Sequence, residues 1–370
     1  MKVAHLTSVH PRFDTRVFRK QCVTLGRAGY DVSLIVADGK GDVTVDGVRI
    51  LDVGAARGRL QRMTKVPSLI YERALGLDAA LYHLHDPELL PIALRLKRAG
   101  RKVIFDSHED FPADILTKPY LSAATRYAVS RTFFQFERYA CRKLDYIVAA
   151  TPAIRGKFER IGCAVIDINN FPLLAEFSES LPWESSRAKA CYVGAMTAIR
   201  GFPELIDAMA LVEQPVRLAL VGEFTEVSAG QRARQSAGWP KVDEHGFVGR
   251  KEVRAVMADS FAGLVTFLPA PNHIDSQPNK IFEYMAAGIP VIGSHFPLWR
   301  EILEHNDCGI CVDPSDPLEI ARAIDLLYQD QDRARAMGER ARTVVLTRFN
   351  WEREAPKLLA LYETILGRRG

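Results

Sequence analysis

Short apolar runs alternate with longer amphipathic stretches along most of the chain. Lys2–Thr7 reads as a strand, Phe18–Ala28 as a helix closed by Gly29, and Asp31–Ala37 as the next strand. The unit recurs: a strand at Ala80–Leu84, a helix at Leu89–Ala99, a strand at Lys102–Asp106, and a strand at Tyr146–Ala150 followed by a helix at Thr151-Pro152. Apolar runs that each lead into a polar loop and a helical segment are the pattern of a parallel sheet with helical crossovers and one binding edge. The pattern breaks at Asn170-Phe171-Pro172, and Ala175–Ser186 is polar and carries Pro182, which places a domain joint there. A second series begins at Ala190–Val193 and continues through Arg217–Val221, Val242–Phe247, Ala262–Phe267 and Val291–Ile292. The expectation is two α/β domains, 1–174 and 175–349. A chain of 370 residues gives each enough length for its own core.

Composition narrows the class. The net charge of +4 is mild, and no dense basic and aromatic face marks a nucleic-acid binder. No apolar run is long enough to span a bilayer, and the N-terminal residues lack the h-region of a signal peptide, which points to a cytoplasmic protein. Cys22, Cys141, Cys163, Cys191, Cys308 and Cys311 are scattered, as in a reducing compartment. Cys308-Gly-Ile-Cys311 has redox or zinc half-site spacing but no second pair, so packing is the stronger reading. Arg57–Arg73 interleaves arginines and Lys65 with Leu60, Met63, Val66, Leu69 and Ile70. That suits either a cationic surface touching the inner membrane face or a solvated face beside ordinary core; the second is the simpler.

The stretch Asn272–His295 carries the densest chemistry. It divides into a polar loop (Asp275, Ser276, Gln277, Pro278, Asn279), a short helix from Lys280 to Ala287, the Gly288 stop and a strand from Ile289 to Ile292. Asn279 is the expected N-cap. Unpaired N–H groups and the positive end of the helix dipole make its first turn an anion site. Lys280 adds a full charge, Glu283 reaches back as an acceptor for sugar hydroxyls, and Asp275 stands at the loop mouth.

Further candidates lie at expected strand ends. The loop Ser8–Arg16 is polar and basic without a dinucleotide fingerprint, and its Asp14 and Thr15 suit a helix cap, a ligand contact or both, with Arg16 alongside. Asp86 and Glu109 suit proton acceptance from a substrate hydroxyl, and His108 follows the strand Lys102–Asp106. Gly249, in Phe247-Val248-Gly249-Arg250, suits either close approach to a nucleobase or a simple turn. No metal is expected: Asp86-Pro87-Glu88 is not D-x-D, and no His/Cys cluster shows ligand spacing.

Asp275-x7-Glu283 followed by Y-M-A-A-G-I-P-V-I resembles the E-x7-E element of the family 4 retaining glycosyltransferases of the GT-B class. S-V-H-P-R-F-D-T-R-V-F, H-D-P-E-L-L and F-D-S-H-E-D occur upstream in the same order, so the resemblance covers nearly the whole length and is of the bacterial surface-polysaccharide type. It implies two Rossmann-like domains facing a central cleft. The first is acceptor-side, with a helix in 350–370 packing back on it; the second binds the nucleotide sugar. It implies that Glu283 holds the ribose, that Asp275, one methylene shorter than the family's Glu, touches the donor sugar, and that His108 faces that sugar. The family's G-R-x5-K-G element falls on Gly194–Gly201, with Ala195 at the Arg position and Arg200 at the Lys position. The implied activity is that of a retaining hexosyltransferase in polysaccharide biosynthesis, acting from a nucleotide-diphosphate sugar onto a glycan or lipid-linked acceptor. It needs no cofactor, and a UDP-sugar is favoured over a GDP-sugar. Ala195 and Asp275 leave open a nucleotide-sugar-binding protein without transferase activity, and a GT-B-like epimerase or phosphorylase is a third possibility.

Overall fold

The computed structural model describes every residue except 119, 178–182, 184–186 and 368–370. Pro182 and most of the expected joint therefore lie outside the described residues. The chain forms two units, Met1–Asn170 with Trp351–Gly370, and Phe171–Asn350. The division thus falls before Phe171, not after residue 174. Phe171 packs edge-on against Phe282 with ring centres 4.7 Å apart, and lies 5.2 Å from Phe349, both in the second unit.

The first unit is built on eight strands: β1 Lys2–Leu6, β2 Asp31–Val36, β3 Val43–Val45, β4 Val48–Asp52, β5 Leu81–Leu84, β6 Lys102–Ser107, β7 Tyr146–Ala149 and β8 Val165–Asp167. Their order is β3-β4-β2-β1-β5-β6-β7-β8. Helices cover both faces, so β2, β5 and β6 are apolar and buried nearly throughout instead of alternating. Only β3 and β4 pair antiparallel, through a turn at Asp46 and Gly47 with φ of 50° and 78°. Asp-Gly between apolar β-branched residues is the local signal for such a hairpin. The helix Trp351–Leu366 belongs to this unit, where the Trp351 indole N–H donates to Thr24 Oγ1 at 2.9 Å.

The second unit carries β9 Lys189–Val193, β10 Arg217–Val221, β11 Val242–Gly246, β12 Ser260–Val265, β13 Val291–Ser294 and β14 Gly309–Val312. All pair parallel in the order β11-β10-β9-β12-β13-β14, which is the doubly wound order with its reversal between β9 and β12. In the first sheet the order reverses between β1 and β5. Open α/β sheets bind ligands at the carboxyl ends of the strands flanking such a reversal. Those ends are Thr7–Ser8 and His85–Asp86 in the first unit, and Gly194 and Thr266 in the second.

Candidate active site

In the second unit the loop after β9 is seated against the end of β12. A Cβ on Gly201, at φ 67°, would stand 1.8 Å from the Thr266 carbonyl oxygen, so only glycine fits there. This places Arg200 beside the reversal. Its Nη1 donates to the Ala195 carbonyl at 3.3 Å, and its guanidinium lies 5.4 Å from the centre of the Phe267 ring. Phe267 packs edge-on against Trp299, whose indole N–H donates to the Ser276 carbonyl at 2.8 Å. The polar loop is thereby anchored near Arg200. Within it Ser276 Oγ donates to the His273 carbonyl, and Asp275 is exposed.

The helix after this loop is Asn279–Ala286, one residue earlier than the sequence pattern suggests. Pro278, not Asn279, occupies the cap position, and no side chain among the described residues caps the first turn. Asn279 is already helical, so its side chain cannot fold back as an N-cap. The first-turn N–H groups therefore keep their donor capacity, which is the condition for a helix start to take an anion. Lys280 Nζ lies 2.5 Å from Glu283 Oε2, and both side chains are partly exposed. The buried oxygens of this unit without a hydrogen-bond partner among the described residues include Asn272 Oδ1, Gln277 Oε1 and Thr266 Oγ1. Buried polar atoms are ordinarily paired. Two of these lie in the loop that leads into the helix, and the third is at the end of β12. Tyr284 supports the helix from below: its hydroxyl accepts from the Val193 N–H at 2.8 Å, and a Cβ on Gly263 would stand 2.3 Å from its ring.

Gly249 has an ordinary φ of −71° and caps the helix Arg250–Ala258. An added Cβ there would meet only the Glu252 carboxylate. Its glycine is not required by a strained backbone, and a helix start accounts for it.

In the first unit the candidates gather around one buried carboxylate that spacing in the sequence did not single out. Asp106, at the end of β6, accepts from Arg16 Nε at 3.0 Å and Arg16 Nη2 at 2.6 Å, and from Gln21 Nε2 at 2.7 Å. His85 Nδ1 and His108 Nε2 stand 3.2 and 3.1 Å from its Oδ2. Burial opposes its charge, but the Arg16 charge, with His108 and His85, prevails and holds the carboxyl well below the usual range. The remaining Arg16 contact goes to the Ile168 carbonyl at 2.8 Å, and the residue is buried. Arg16 is therefore corrected from an acceptor contact to the buried counter-ion of Asp106.

Asp14 caps the helical segment Thr15–Cys22, accepting from the Arg16 and Val17 N–H groups. Asp86 is buried and accepts from Thr7 Oγ1, Ser8 N and Ser8 Oγ. Those bonds tie the ends of β1 and β5 together. Glu109 is exposed. His108 is partly exposed at 17% and is the one imidazole of the Asp106 group within reach of a ligand. His10, whose ring centre lies 4.6 Å from that of His108, faces Asp14 and Asp86. Burial lowers its pKa, but the Asp14 hydrogen bond and the Asp86 and Asp14 charges outweigh that and raise it.

Two clusters of ligand-capable side chains form in space that no spacing along the sequence shows. His5, His83 and His85 form one, and His85, Asp106 and His108 the other, each with its ligand atoms within 4.8 Å of one another. The signal was present in the strands: His5 pairs in register with His83, and His85 lies two residues on, so all three share one face of the sheet. Tyr362, on the helix Trp351–Leu366, closes the group, its hydroxyl 3.0 Å from His5 Nε2 and 2.9 Å from His83 Nδ1. The pairing of rings with one another, with Tyr362 and with Asp106 occupies every nitrogen of His5 and His85.

Two doubly wound units with polar groups at each reversal define a protein of the GT-B class. Residues 15–169 match the Glycosyl transferase 4-like domain, and residues 175–344 match Glycosyl transferases group 1, so each unit carries a match to a glycosyltransferase domain. It is 35% identical over 85 residues to N-acetyl-alpha-D-glucosaminyl L-malate synthase of Bacillus anthracis, covering 23% of this chain and 21% of that protein. It is 33% identical over 102 residues to the GDP-mannose-dependent alpha-(1-6)-phosphatidylinositol monomannoside mannosyltransferase of Mycobacterium tuberculosis (strain CDC 1551 / Oshkosh), covering 28% and 26%. These matches span about a quarter or less of each relative's length. The fold is similar to that of Anabaena HepE in complex with UDP-glucose, with a TM-score of 0.74 at 17% identity over 98% of this chain and 100% of that one.

Proposed function

We propose that the chain is a retaining glycosyltransferase moving a sugar from a nucleoside-diphosphate donor to a glycan or lipid-linked acceptor, in bacterial polysaccharide biosynthesis. The observation that carries this is the uncapped start of the helix Asn279–Ala286, with Lys280 and Glu283 on its first turns and unpaired buried oxygens in the loop before it. Such a site suits a diphosphate that gains charge as the sugar leaves, since preorganised N–H dipoles and cations act most strongly on developing charge. Lys280 and Arg200 stabilise the leaving diphosphate, and Arg200 serves as the bidentate phosphate contact in place of the cation absent at Ala195. Glu283 accepts from ribose hydroxyls, while Asp275, Ser276 and Gln277 hold the donor sugar and Gly249 lies near the base; in the first unit, His108 is the group that makes a hydrogen bond with a sugar hydroxyl. The departing phosphate takes the acceptor's proton, so no metal or cofactor enters the reaction.

A UDP-sugar donor is favoured, on the likeness to a fold that binds UDP-glucose; the GDP-mannose-dependent relative makes GDP the comparison arm. A lipid-linked acceptor at the inner membrane face is supported by the helix Arg59–Leu77. It exposes Leu60 at 78% and Met63 at 54% beside Arg57, Arg59 and Lys65, with Arg59 packed 4.8 Å over the Tyr120 ring. Among the described residues no helix is long and apolar enough to cross a membrane. The test is release of nucleoside diphosphate from UDP- and GDP-sugars with and without cell-envelope extract. Release that depends on extract is the expected result. Donor binding without release favours the second reading, a nucleotide-sugar-binding protein, to which Ala195 and Asp275 point.

A further inference from the structure

The buried histidines of the first unit form a chain of contacts that ends on the candidate catalytic imidazole. Tyr362 Oη lies 3.0 Å from His5 Nε2, His5 Nδ1 lies 2.8 Å from His85 Nε2, and His85 Nδ1 lies 3.2 Å from Asp106 Oδ2. Burial drives His5 and His83 well below the ordinary histidine value, and His85 down to about 3 despite its bond to Asp106. All three rings are therefore neutral, each with one proton and one lone pair.

That condition fixes the direction of every bond. Asp106 is ionised and accepts only, so His85 carries its proton on Nδ1 and its Nε2 is a lone pair. His5 must then donate from Nδ1, which leaves its Nε2 to accept from the Tyr362 hydroxyl. The same hydroxyl accepts from His83 Nδ1, at 2.9 Å. What remains is the lone pair of His83 Nε2, and this atom is buried without a partner among the described residues. The reverse polarity would bury an unpaired N–H at His83 and point a His85 lone pair at a carboxylate. Both are costly in a dry interior.

His85 Nδ1 and His108 Nε2 lie 3.3 Å apart, as two donors converging on one oxygen. We propose that Asp106 and His85 are positioning residues for His108: this one-way chain commits the His108 Nε2 proton to Asp106, so that His108 presents its Nδ1 lone pair to a sugar hydroxyl and accepts its hydrogen bond. His10 faces the same ring and is itself held by Asp14 and Asp86. Arg16 and Gln21 complete the surroundings of Asp106. The role of His108 toward a sugar rests on the transferase reading; the proton placement does not.

The test is long-range ¹H–¹⁵N correlation of ring nitrogens in the full chain labelled with ¹⁵N-histidine at neutral pH, with signals assigned by single His→Gln variants. Expected are Nδ1–H forms for His5, His83 and His85, the less favoured tautomer in water, and the Nε2–H form for His108. An Nε2–H form at His5 or His85, or an Nδ1–H form at His108, overturns the assignment. The wild-type spectrum needs no variant and no substrate, so it stands even if sugar transfer fails, and absence of transfer with these tautomers refutes only the transferase reading. In a chain that releases UDP from UDP-glucose, Asp106→Asn lowers kcat by about tenfold or more, with KM for UDP-glucose changed less than twofold, since a misplaced catalytic group costs up to about 10²-fold. Unchanged kcat in a folded Asp106→Asn variant overturns the positioning role.

Discussion

Replacing Arg16 by Met separates a buried counter-ion from a substrate contact. Met keeps most of the apolar stem but removes a guanidinium that makes two bonds to Asp106 and one to the Ile168 carbonyl, in a residue 3% exposed opposite a carboxylate that is fully buried. Breaking a buried pair from one side leaves an uncompensated charge and costs about 3–5 kcal/mol. For a unit of this size each kcal/mol moves the melting temperature by roughly 2–4 °C, so a fall of about 6–20 °C is expected. The pH dependence has a definite sign. In the wild type the Asp106 pKa is depressed, so its contribution is present above the unfolded carboxyl value and is lost as pH falls toward the folded one. In the variant the buried carboxyl keeps Gln21, His85 and His108 but loses the guanidinium charge, so its pKa lies above the wild-type one and protonation in acid relieves part of the penalty. Differential scanning calorimetry should therefore show the gap between variant and wild type widest near neutral pH and narrowing toward about pH 4. A fall below about 2 °C, or a gap that does not change with pH, would refute the reasoning. A stable variant with impaired acceptor use would return Arg16 to the surface role that its sequence neighbourhood suggests.

For Arg200→Ala, kcat should fall more than donor affinity, because charge builds on the leaving group in the transition state; equal losses measured by kinetics and titration would remove that role. Gly201→Ala should be destabilised by at least ~2 kcal/mol in denaturant unfolding, since φ is 67° and the Cβ meets the Thr266 carbonyl at 1.8 Å; a wild-type midpoint would contradict this. Burial pushes the Cys191 and Cys311 thiols up to about 12 and Cys308 to about 11. In the native chain these three should resist alkylation at pH 8 and react on unfolding, as read by mass spectrometry. Rapid native labelling of Cys308 or Cys311 would revive a redox or metal role for that pair.

The parallel strands were legible because burial on both faces writes them as continuous apolar runs, and β6 and β10 fall almost where the pattern puts them. The hairpin β3–β4 was missed although Asp46-Gly47 announces it, because its strands are short and half exposed. The loop and helix at 275–286 were legible as elements from local chemistry alone. The cap was assigned to the wrong residue, since Asn279 propensity was weighed over the fixed φ of Pro278. The histidine cluster was not legible as a spacing, because metal and catalytic motifs are sought along the chain, whereas His5, His83, His108 and Tyr362 meet only through strand register and the return of the last helix. The same applies to Arg16: its partner is Asp106, and nothing local distinguishes an arginine aimed inward from one aimed at substrate.

The central claim is that the start of the helix Asn279–Ala286 receives a nucleoside diphosphate. Isothermal titration of UDP and GDP into the wild-type chain and Glu283→Ala tests it most directly. The account predicts that one of the two nucleotides binds the wild type and that the variant binds it at least about 10-fold more weakly, the loss of one or two charge-assisted hydrogen bonds. No binding of either nucleotide, or equal affinity in the two chains, would contradict it.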